Sequence, residues 1–164
     1  MRRRAAAART VRRSSTGKFR HILHASDFSR ASGRAFVTAV ALARAGRVPL
    51  TIAHVLAPFV PAIAGEGFIL PETYERLDAS GRAAARKQVD RLVGKARQAG
   101  VRATGLVLDG APHEQIVRAI KSRRADLVVI GTHGRTGLSR FLLGSVAARV
   151  VTLAPCAVLT VRGR

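Results

Sequence analysis

The sequence predicts a single α/β domain, a doubly wound parallel sheet of five strands with helices on both faces. Short apolar runs of strand length alternate along the chain with segments whose apolar residues recur every three or four positions, the period of a buried helical face. The 164 residues, 48% of them hydrophobic, suit one core of ordinary size. Because right-handed crossovers place helices on the faces of a parallel sheet, this alternation predicts the doubly wound fold.

The first strand is predicted at residues 21–25, and a helix follows it. Ser29 is a favoured N-cap residue for that helix, and Gly46 is placed to end it. The predicted buried face of the helix consists of Ala31, Ala35, Ala39, Leu42 and Ala43.

The second strand is predicted at residues 48–56, with Leu50 as an alternative start because Pro49 fits poorly within a central ladder. Residues 57–71 hold three prolines and two glycines and are interpreted as a lid or contact loop. A long helix is predicted over residues 72–99, closed by Gly100. Its predicted buried face consists of Tyr74, Leu77, Ala85, Val89, Leu92, Val93 and Ala96.

The rest of the chain continues the alternation. Ile116, Val117 and Ile120 form the predicted inward face of the third helix. The remaining predicted elements are, in order, a strand at 101–108, a helix at 113–123, a strand at 125–130, a helix at 145–153 and a strand at Ala157–Val161.

Ligands of such sheets bind outside the carboxyl ends of the strands, at the point where the winding reverses. We expect the strand order 3-2-1-4-5. That order brings Asp27, just after the first strand, and Gly131, just after the fourth, to the same crevice.

A glycine pattern at this crevice predicts a phosphate site. Gly131 and Gly134 follow the fourth strand, and Gly144 and Ser145 open the last helix. Glycine can adopt positive φ and lets the backbone approach phosphate oxygens, while a helix N-terminus attracts anions. The spacing is neither a Walker A loop nor the dinucleotide G-x-G-x-x-G pattern, so a different nucleotide fold is indicated.

The formal charge of +20 is the anomaly of the composition. Residues 1–17 are rich in Arg and Ala and lack an apolar period, so we interpret them as a disordered basic tail preceding a domain at residues 18–164. Such a tail suits nonspecific contact with polyanions, a targeting segment or a plain solvated extension. No apolar run reaches the roughly 18 to 20 residues that span a bilayer, so membrane insertion is not expected.

Together these features resemble the universal stress protein family. The resemblance covers residues 19–162 and rests on the run from Ile22 to Ser29, on His54-Val55, on the G-x2-G-x9-G-[ST] pattern and on the run from Ala154 to Leu159. It implies a cytoplasmic homodimer paired through the last strand, Ala157–Val161, of the subgroup that carries the glycine motif and binds ATP. The sequence departs from the family pattern at His24-Ala25, where Val-Pro is common.

The resemblance also implies which residues surround the nucleotide. Asp27 and the backbone near Val55 are expected at the adenosine, beside Ala25 and Ser26, and Gly110 at the edge of the ribose. The residues expected around the phosphates are Gly131, His133, Gly134, Arg135, Gly144, Ser145 and Val146.

Several of these residues have plain structural alternatives. Asp27 could close an Asx turn, Ser145 could be the N-cap of the last helix, and Arg135 could be a solvated loop arginine. No Cys, His and carboxylate cluster has metal-ligand spacing, so no protein-held metal is expected, and Mg²⁺ would arrive with the nucleotide. Cys156, the single cysteine, is interpreted as a small core residue and agrees with a reducing cytoplasm.

The sequence therefore predicts a nucleotide sensor or regulator with slow ATP hydrolysis at most, because no nucleophile with a partnered base is recognisable. The alternative is a basic, dimeric stress-response protein that binds nucleic acid or an acidic protein without functional nucleotide binding. The charge motivates that alternative, although aromatic residues for base stacking make up only 4% of the chain.

Overall fold

The computed structural model describes residues 18–57, 71–132 and 143–163, apart from the side chains of Pro71 and Tyr74. The predicted lid loop, tail and second glycine of the motif fall largely outside these residues. The elements in chain order are β1 (Ile22–Ala25), α1 (Arg30–Gly46), β2 (Leu50–Leu56), α2 (Pro71–Gln98), β3 (Ala103–Asp109), α3 (Pro112–Arg123), β4 (Leu127–Gly131), α4 (Ser145–Leu153) and β5 (Ala157–Val161).

The five strands form one parallel sheet in the order β3-β2-β1-β4-β5, which confirms the predicted fold class and strand order. β1 lies between β2 and β4, with Ala25 opposite Ala53 on one side and Ile130 on the other. The winding therefore reverses between β1 and β4, where the sequence places the crevice.

The core has two halves, one on each face of the sheet. On one face α1 and α2 cover a cluster that includes Ile22, Leu50 and Val89, and on the other α3 and α4 cover a cluster that includes Leu23 and Val128. Alternate residues of β1 thus enter opposite halves, as expected for a strand buried on both faces.

The helix predictions hold with two corrections. Ser29 caps α1 by accepting a hydrogen bond from the backbone N–H of Ser32, as predicted. The left-handed residue that closes α1 is Arg47, at φ 54°, rather than Gly46. Leu77 is 52% exposed rather than buried, because the buried face of α2 begins only at Ala85.

Several strand boundaries also move, and β4 spans Leu127–Gly131 rather than residues 125–130. β2 begins at Leu50, the alternative start. β3 begins at Ala103 rather than at residue 101, because the N–H of Val101 is used to end α2: it donates to the carbonyl of Ala96 at 3.0 Å. Within the described residues, no helix is both long and apolar enough to cross a membrane.

Candidate functional site

The crevice lies at what we call the carboxyl end of the sheet, where the strands end and α1 and α4 begin. Gly131, the last residue of β4, lies directly beneath the first turn of α1. A Cβ at position 131 would lie 3.0 Å from both the carbonyl carbon of Ala31 and the nitrogen of Ser32. The end of β4 and the N-terminus of α1 are therefore in contact.

This contact corrects the reason given for glycine at position 131. Left-handed φ values occur at Gly100 and Gly110 among the described glycines, and not at Gly131. Gly144 is also extended, at φ −56° and ψ 146°. Position 131 has no room for a Cβ beneath α1, so packing alone accounts for glycine there.

The turn between β1 and α1 is held by Ser26. Its N–H donates to Ala53 at 2.8 Å, its carbonyl lies 2.7 Å from Nδ1 of His54, and its hydroxyl lies 2.8 Å from that of Ser32. The hydroxyl also accepts the N–H of Phe28 at 3.3 Å. Ser26 is buried with its polar atoms engaged inside the protein, so it braces the turn, and the neighbouring Ala25 side chain belongs to the core.

Asp27 occupies the rim of the crevice. Its Oδ1 accepts the backbone N–H of Ser29 at 3.0 Å, which is the Asx turn considered as the structural alternative. Among the described residues no hydrogen bond to Oδ2 is formed, and the residue is half-buried. One oxygen of the carboxylate thus shapes the turn, and the other is left for a further donor.

Phe28 and His54 form a wall next to Asp27. Phe28 has a left-handed backbone at φ 62°, and its ring lies 4.3 Å from that of His54, centroid to centroid. A non-glycine residue at positive φ is uncommon and requires support from its surroundings. The hydrogen bonds of Ser26 and the stacked His54 ring supply that support.

The N-terminus of α4 lies at the end of β4. The N–H of Gly144 donates to the carbonyl of Thr132, the residue that follows β4, at 2.6 Å. This hydrogen bond holds the start of the helix against the end of the strand. Gly144 is the N-cap, so the structural alternative considered for Ser145 does not apply. Ser145 is the exposed first residue of the helix, which spans residues 145–153 as predicted. Glycine supplies no side-chain cap, so among the described residues no N-cap side chain covers the first-turn N–H groups of α4, and that end of the helix favours an anion.

The other predicted residues spread along the same end of the sheet. Val55 is half-buried near the end of β2, and Val146 packs its side chain into the core. Gly110 follows β3 at φ 122°, where its N–H donates to Leu56 at 3.0 Å. His133, Gly134 and Arg135 lie outside the described residues.

His24 lies beneath the crevice and is fully buried. Nδ1 donates to the carbonyl of Val129 at 3.0 Å, and no donor for Nε2 is present among the described residues. Burial lowers the pKa of His24 to about 4, so the ring is neutral at neutral pH. The hydrogen bond to Val129 and the charge of Asp27 oppose that shift without reversing it.

The thiol of Cys156 does not suit nucleophilic chemistry. Its side chain is half-buried against the α3–α4 half of the core, and burial raises its pKa to about 11. The fraction of thiolate at neutral pH is therefore very small. In the parts of the chain that the structure describes, no three His, Cys, Asp or Glu residues gather where they could hold a metal ion.

The family follows from a comparison over nearly the whole chain. The model of the universal stress protein family matches residues 18–162. This chain belongs to the universal stress protein family. A universal stress protein of Thermus aquaticus is 36% identical over 144 residues, which cover 88% of this chain and 99% of the relative.

Solved universal stress proteins share the fold. One, whose crystal structure is a complex with cAMP, is 25% identical with a TM-score of 0.67, over 90% of this chain and 99% of that one. Another, from Archaeoglobus fulgidus in complex with dAMP, is 25% identical with a TM-score of 0.57, over 87% and 96% of the two chains.

The sequence missed three residues that shape the site of this universal stress protein. Ser32 and His54 hold the β1–α1 turn through Ser26, and Thr132 anchors α4. Ser32 carried a signal, since it lies three residues after the N-cap Ser29, where an N-cap hydroxyl bonds the backbone. Thr132 and His54 lie within the runs that carry the family resemblance, but their structural roles had no local signal, because their hydrogen-bond partners are distant in sequence.

Proposed function

We propose that this universal stress protein binds an adenine nucleotide, ATP together with Mg²⁺, at the carboxyl end of the sheet between β1 and β4, and acts as a sensor or regulator. The observation that carries the proposal is the N-terminus of α4. Gly144 fixes it to the end of β4 without a side-chain cap, so that its first N–H groups and its positive dipole end suit a phosphate.

The proposed site divides into two parts. The phosphates would lie near Gly131, Gly144 and the N–H groups of Ser145 and Val146, with His133, Gly134 and Arg135 contributed by the loop between β4 and α4. The adenosine would lie toward Asp27 and Val55, with Gly110 one strand further along. Universal stress proteins crystallised with cAMP and with dAMP support an adenine nucleotide as the ligand.

Asp27 is the proposed polar contact of the adenosine. One carboxylate oxygen is occupied by Ser29, and the second can accept a hydroxyl of the ribose. Ser26 and Ala25 act by holding the backbone in place, because their side chains are buried. Mg²⁺ would be coordinated by phosphate oxygens and water. We expect slow hydrolysis at most, because no nucleophile with a partnered base is recognisable in the sequence.

A substitution at Gly144 tests this site at a position whose backbone conformation does not require glycine. The backbone at φ −56° and ψ 146° accepts any L residue. In Gly144→Asp, the carboxylate would cap the first turn of α4 and place a negative charge where the phosphate is proposed. We expect ATP binding, measured by calorimetry with and without Mg²⁺, to be lost while thermal stability is kept or raised, since Asp is a favoured N-cap.

Gly144→Asn is the matched control, because it offers nearly the same cap without the charge. We expect it to bind ATP more tightly than Gly144→Asp does. Absence of ATP binding by the wild-type chain, or undiminished binding by a folded Gly144→Asp variant, would contradict the proposal. AMP and cAMP titrated alongside identify the preferred nucleotide.

We also propose a homodimer formed through β5. β5 is an edge strand of the described sheet, and Leu159 on it is 37% exposed. The carbonyl of Val161 accepts the N–H of Thr132 and so points toward β4. Backbone groups alternate in direction along a strand, so those of Val158 and Thr160 point to the open side, where a second copy can pair.

Thr160→Pro removes one of these outward donors and should give a monomer that remains folded. Leu159→Pro is the contrasting variant, because it removes a donor that faces β4 and should destabilise the fold itself. Light scattering reports the mass and circular dichroism the folding. A dimeric Thr160→Pro variant would show that β5 is not the interface. A cytoplasmic location stays a prediction from the sequence.

A further inference from the structure

The opposite end of the sheet, which we call the amino end, is where α1, α2 and α3 finish and the strands begin. All three helices finish in the same way. A left-handed residue donates its N–H to the carbonyl three residues before it, and the next residue donates to the carbonyl five before it, as in the Schellman motif. The left-handed residues are Arg47, Gly100 and Arg124, at φ 54°, 80° and 53°.

Glycine is the usual residue at this position because a Cβ makes left-handed backbone unfavourable. Gly100 follows that rule. Arg47 and Arg124 are two exceptions to it, and both lie at the amino end. Both arginines are exposed, and neither forms an ion pair within the part of the chain that the structure describes. Local stability therefore gives no reason for arginine at these two positions.

The acidic residues are divided unevenly between the two ends, whereas basic residues, among them Arg30, Arg149 and Arg162, lie at the carboxyl end as well. Six of the eight acidic residues that the structure describes lie at the carboxyl end or in the helical turns beginning there, namely Asp27, Glu72, Glu75, Asp78, Asp109 and Glu114. At the amino end Asp126 is engaged by the backbone N–H groups of Arg20 and His21. Lys18, Arg102 and Lys121 are exposed there beside Arg47 and Arg124.

The chain before Lys18 joins the domain at this end, because Lys18 and Arg20 lead directly into β1. Residues 1–17 contain six arginines and no acidic residue. The sequence that precedes Lys18 therefore carries further positive charge.

We propose that the amino end is a second binding surface, which takes the phosphate backbone of duplex nucleic acid without reading its sequence. Arginine suits phosphate because its planar guanidinium donates two parallel hydrogen bonds. Phe19, 38% exposed, is an aromatic side chain at this end, and a single ring offers no platform for the successive bases of a single strand. Backbone contact with a duplex needs only the charges that are present.

The test is a double variant of the full chain, Arg47→Gly/Arg124→Gly, titrated against a labelled DNA duplex of about 20 base pairs in a salt series. Each lost phosphate contact lowers the slope of log affinity against log salt by about 0.9, so we expect the slope to fall by about 2. At the same time glycine relieves the left-handed backbone, so the melting temperature should rise. Weaker binding by a more stable protein separates a contact role from a structural one.

Lys87→Gln/Arg118→Gln is the matched control, because it removes two exposed charges from the middles of α2 and α3, and neither forms an ion pair among the described residues. Its slope should equal that of the wild type. Arg47→Asn/Arg124→Asn, in which asparagine also tolerates left-handed backbone, should repeat the loss of the glycine pair.

Four results would overturn the proposal: a wild-type slope in the glycine pair, an equal loss in the control pair, tighter binding of a single strand than of the duplex, or arginine-dependent binding of phosphatidylserine vesicles without binding of the duplex.

Discussion

The two ends of the sheet use glycine for different reasons, close packing at one end and left-handed backbone at the other. At the carboxyl end, glycine lies where α1 packs on β4 and where α4 begins without a side-chain cap from its N-cap residue. At the amino end, two of the three left-handed helix closures carry arginine in place of glycine. Glycine at position 131 is explained by the backbone that packs against it. Arginine at positions 47 and 124, where glycine is expected, is not explained by the fold and calls for another reason.

The largest expected effect is on the pH dependence of stability, and it differs between two histidines. His24 lies beneath the carboxyl end of the sheet and His21 at the amino end. Burial lowers the pKa of His24 to about 4, so between pH 6.5 and 4 the unfolded chain binds a proton that the folded chain does not. The free energy of unfolding should therefore fall by about 3 kcal/mol as the pH is lowered through this window. Urea unfolding at a series of pH values measures it.

His24→Leu should flatten this pH dependence, because leucine does not titrate. Burial also lowers the pKa of His21, which is half-buried and has Asp126 nearby to oppose the shift. His21→Gln should thus leave most of the slope in place. If His24→Leu keeps the wild-type slope, the acid sensitivity arises elsewhere in the chain.

The next largest effect tests the packing of α1 on β4. In Gly131→Ala, the new Cβ meets the backbone of Ala31 and Ser32 at 3.0 Å, so we expect a loss of about 1 to 3 kcal/mol of unfolding free energy. Gly33→Ala lies on the open side of the same helix, with nothing within 4 Å, and should stabilise by about 0.5 to 1 kcal/mol. Chemical denaturation of both variants gives the comparison, and equal effects would disprove the close approach.

The smallest expected effect is on the free energy of unfolding at two of the helix closures at the amino end. Arg47→Gly should raise the free energy of unfolding by up to about 1 kcal/mol, since glycine accepts left-handed backbone more readily. Gly100→Ala should lower it by about 1 kcal/mol for the converse reason. Changes of the same sign in both variants would show that left-handed strain does not control these positions.

Much of the fold could be predicted from local pattern. Apolar period and caps placed Ser29 correctly and gave the strand order, because crossover handedness leaves few topologies for alternating strands and helices. Leu77 was placed wrongly because α2, about 42 Å long at 1.5 Å per residue, outruns the sheet it covers. The spacing of apolar residues along a helix does not show which part of the helix lies over the sheet.

The candidate site was less predictable than the fold, because its contacts join residues that are far apart in the sequence. The glycine spacing indicated the right end of the sheet, yet the packing of Gly131 under Ala31 joins residues a hundred positions apart. The bounds of α4 were predicted correctly, but the alternative role of Ser145 as its N-cap belongs to Gly144, whose N–H donates to the distant Thr132.

The most direct measurement is hydrogen exchange of the full chain, followed by mass spectrometry, with saturating ATP and Mg²⁺. We predict that protection increases in peptides spanning residues 26–32 and 144–148 at the carboxyl end. Peptides spanning residues 44–49 and 121–126 at the amino end should exchange as in the free protein. Protection confined to the amino end, or no protection at the carboxyl end, would contradict the nucleotide site at the N-terminus of α4.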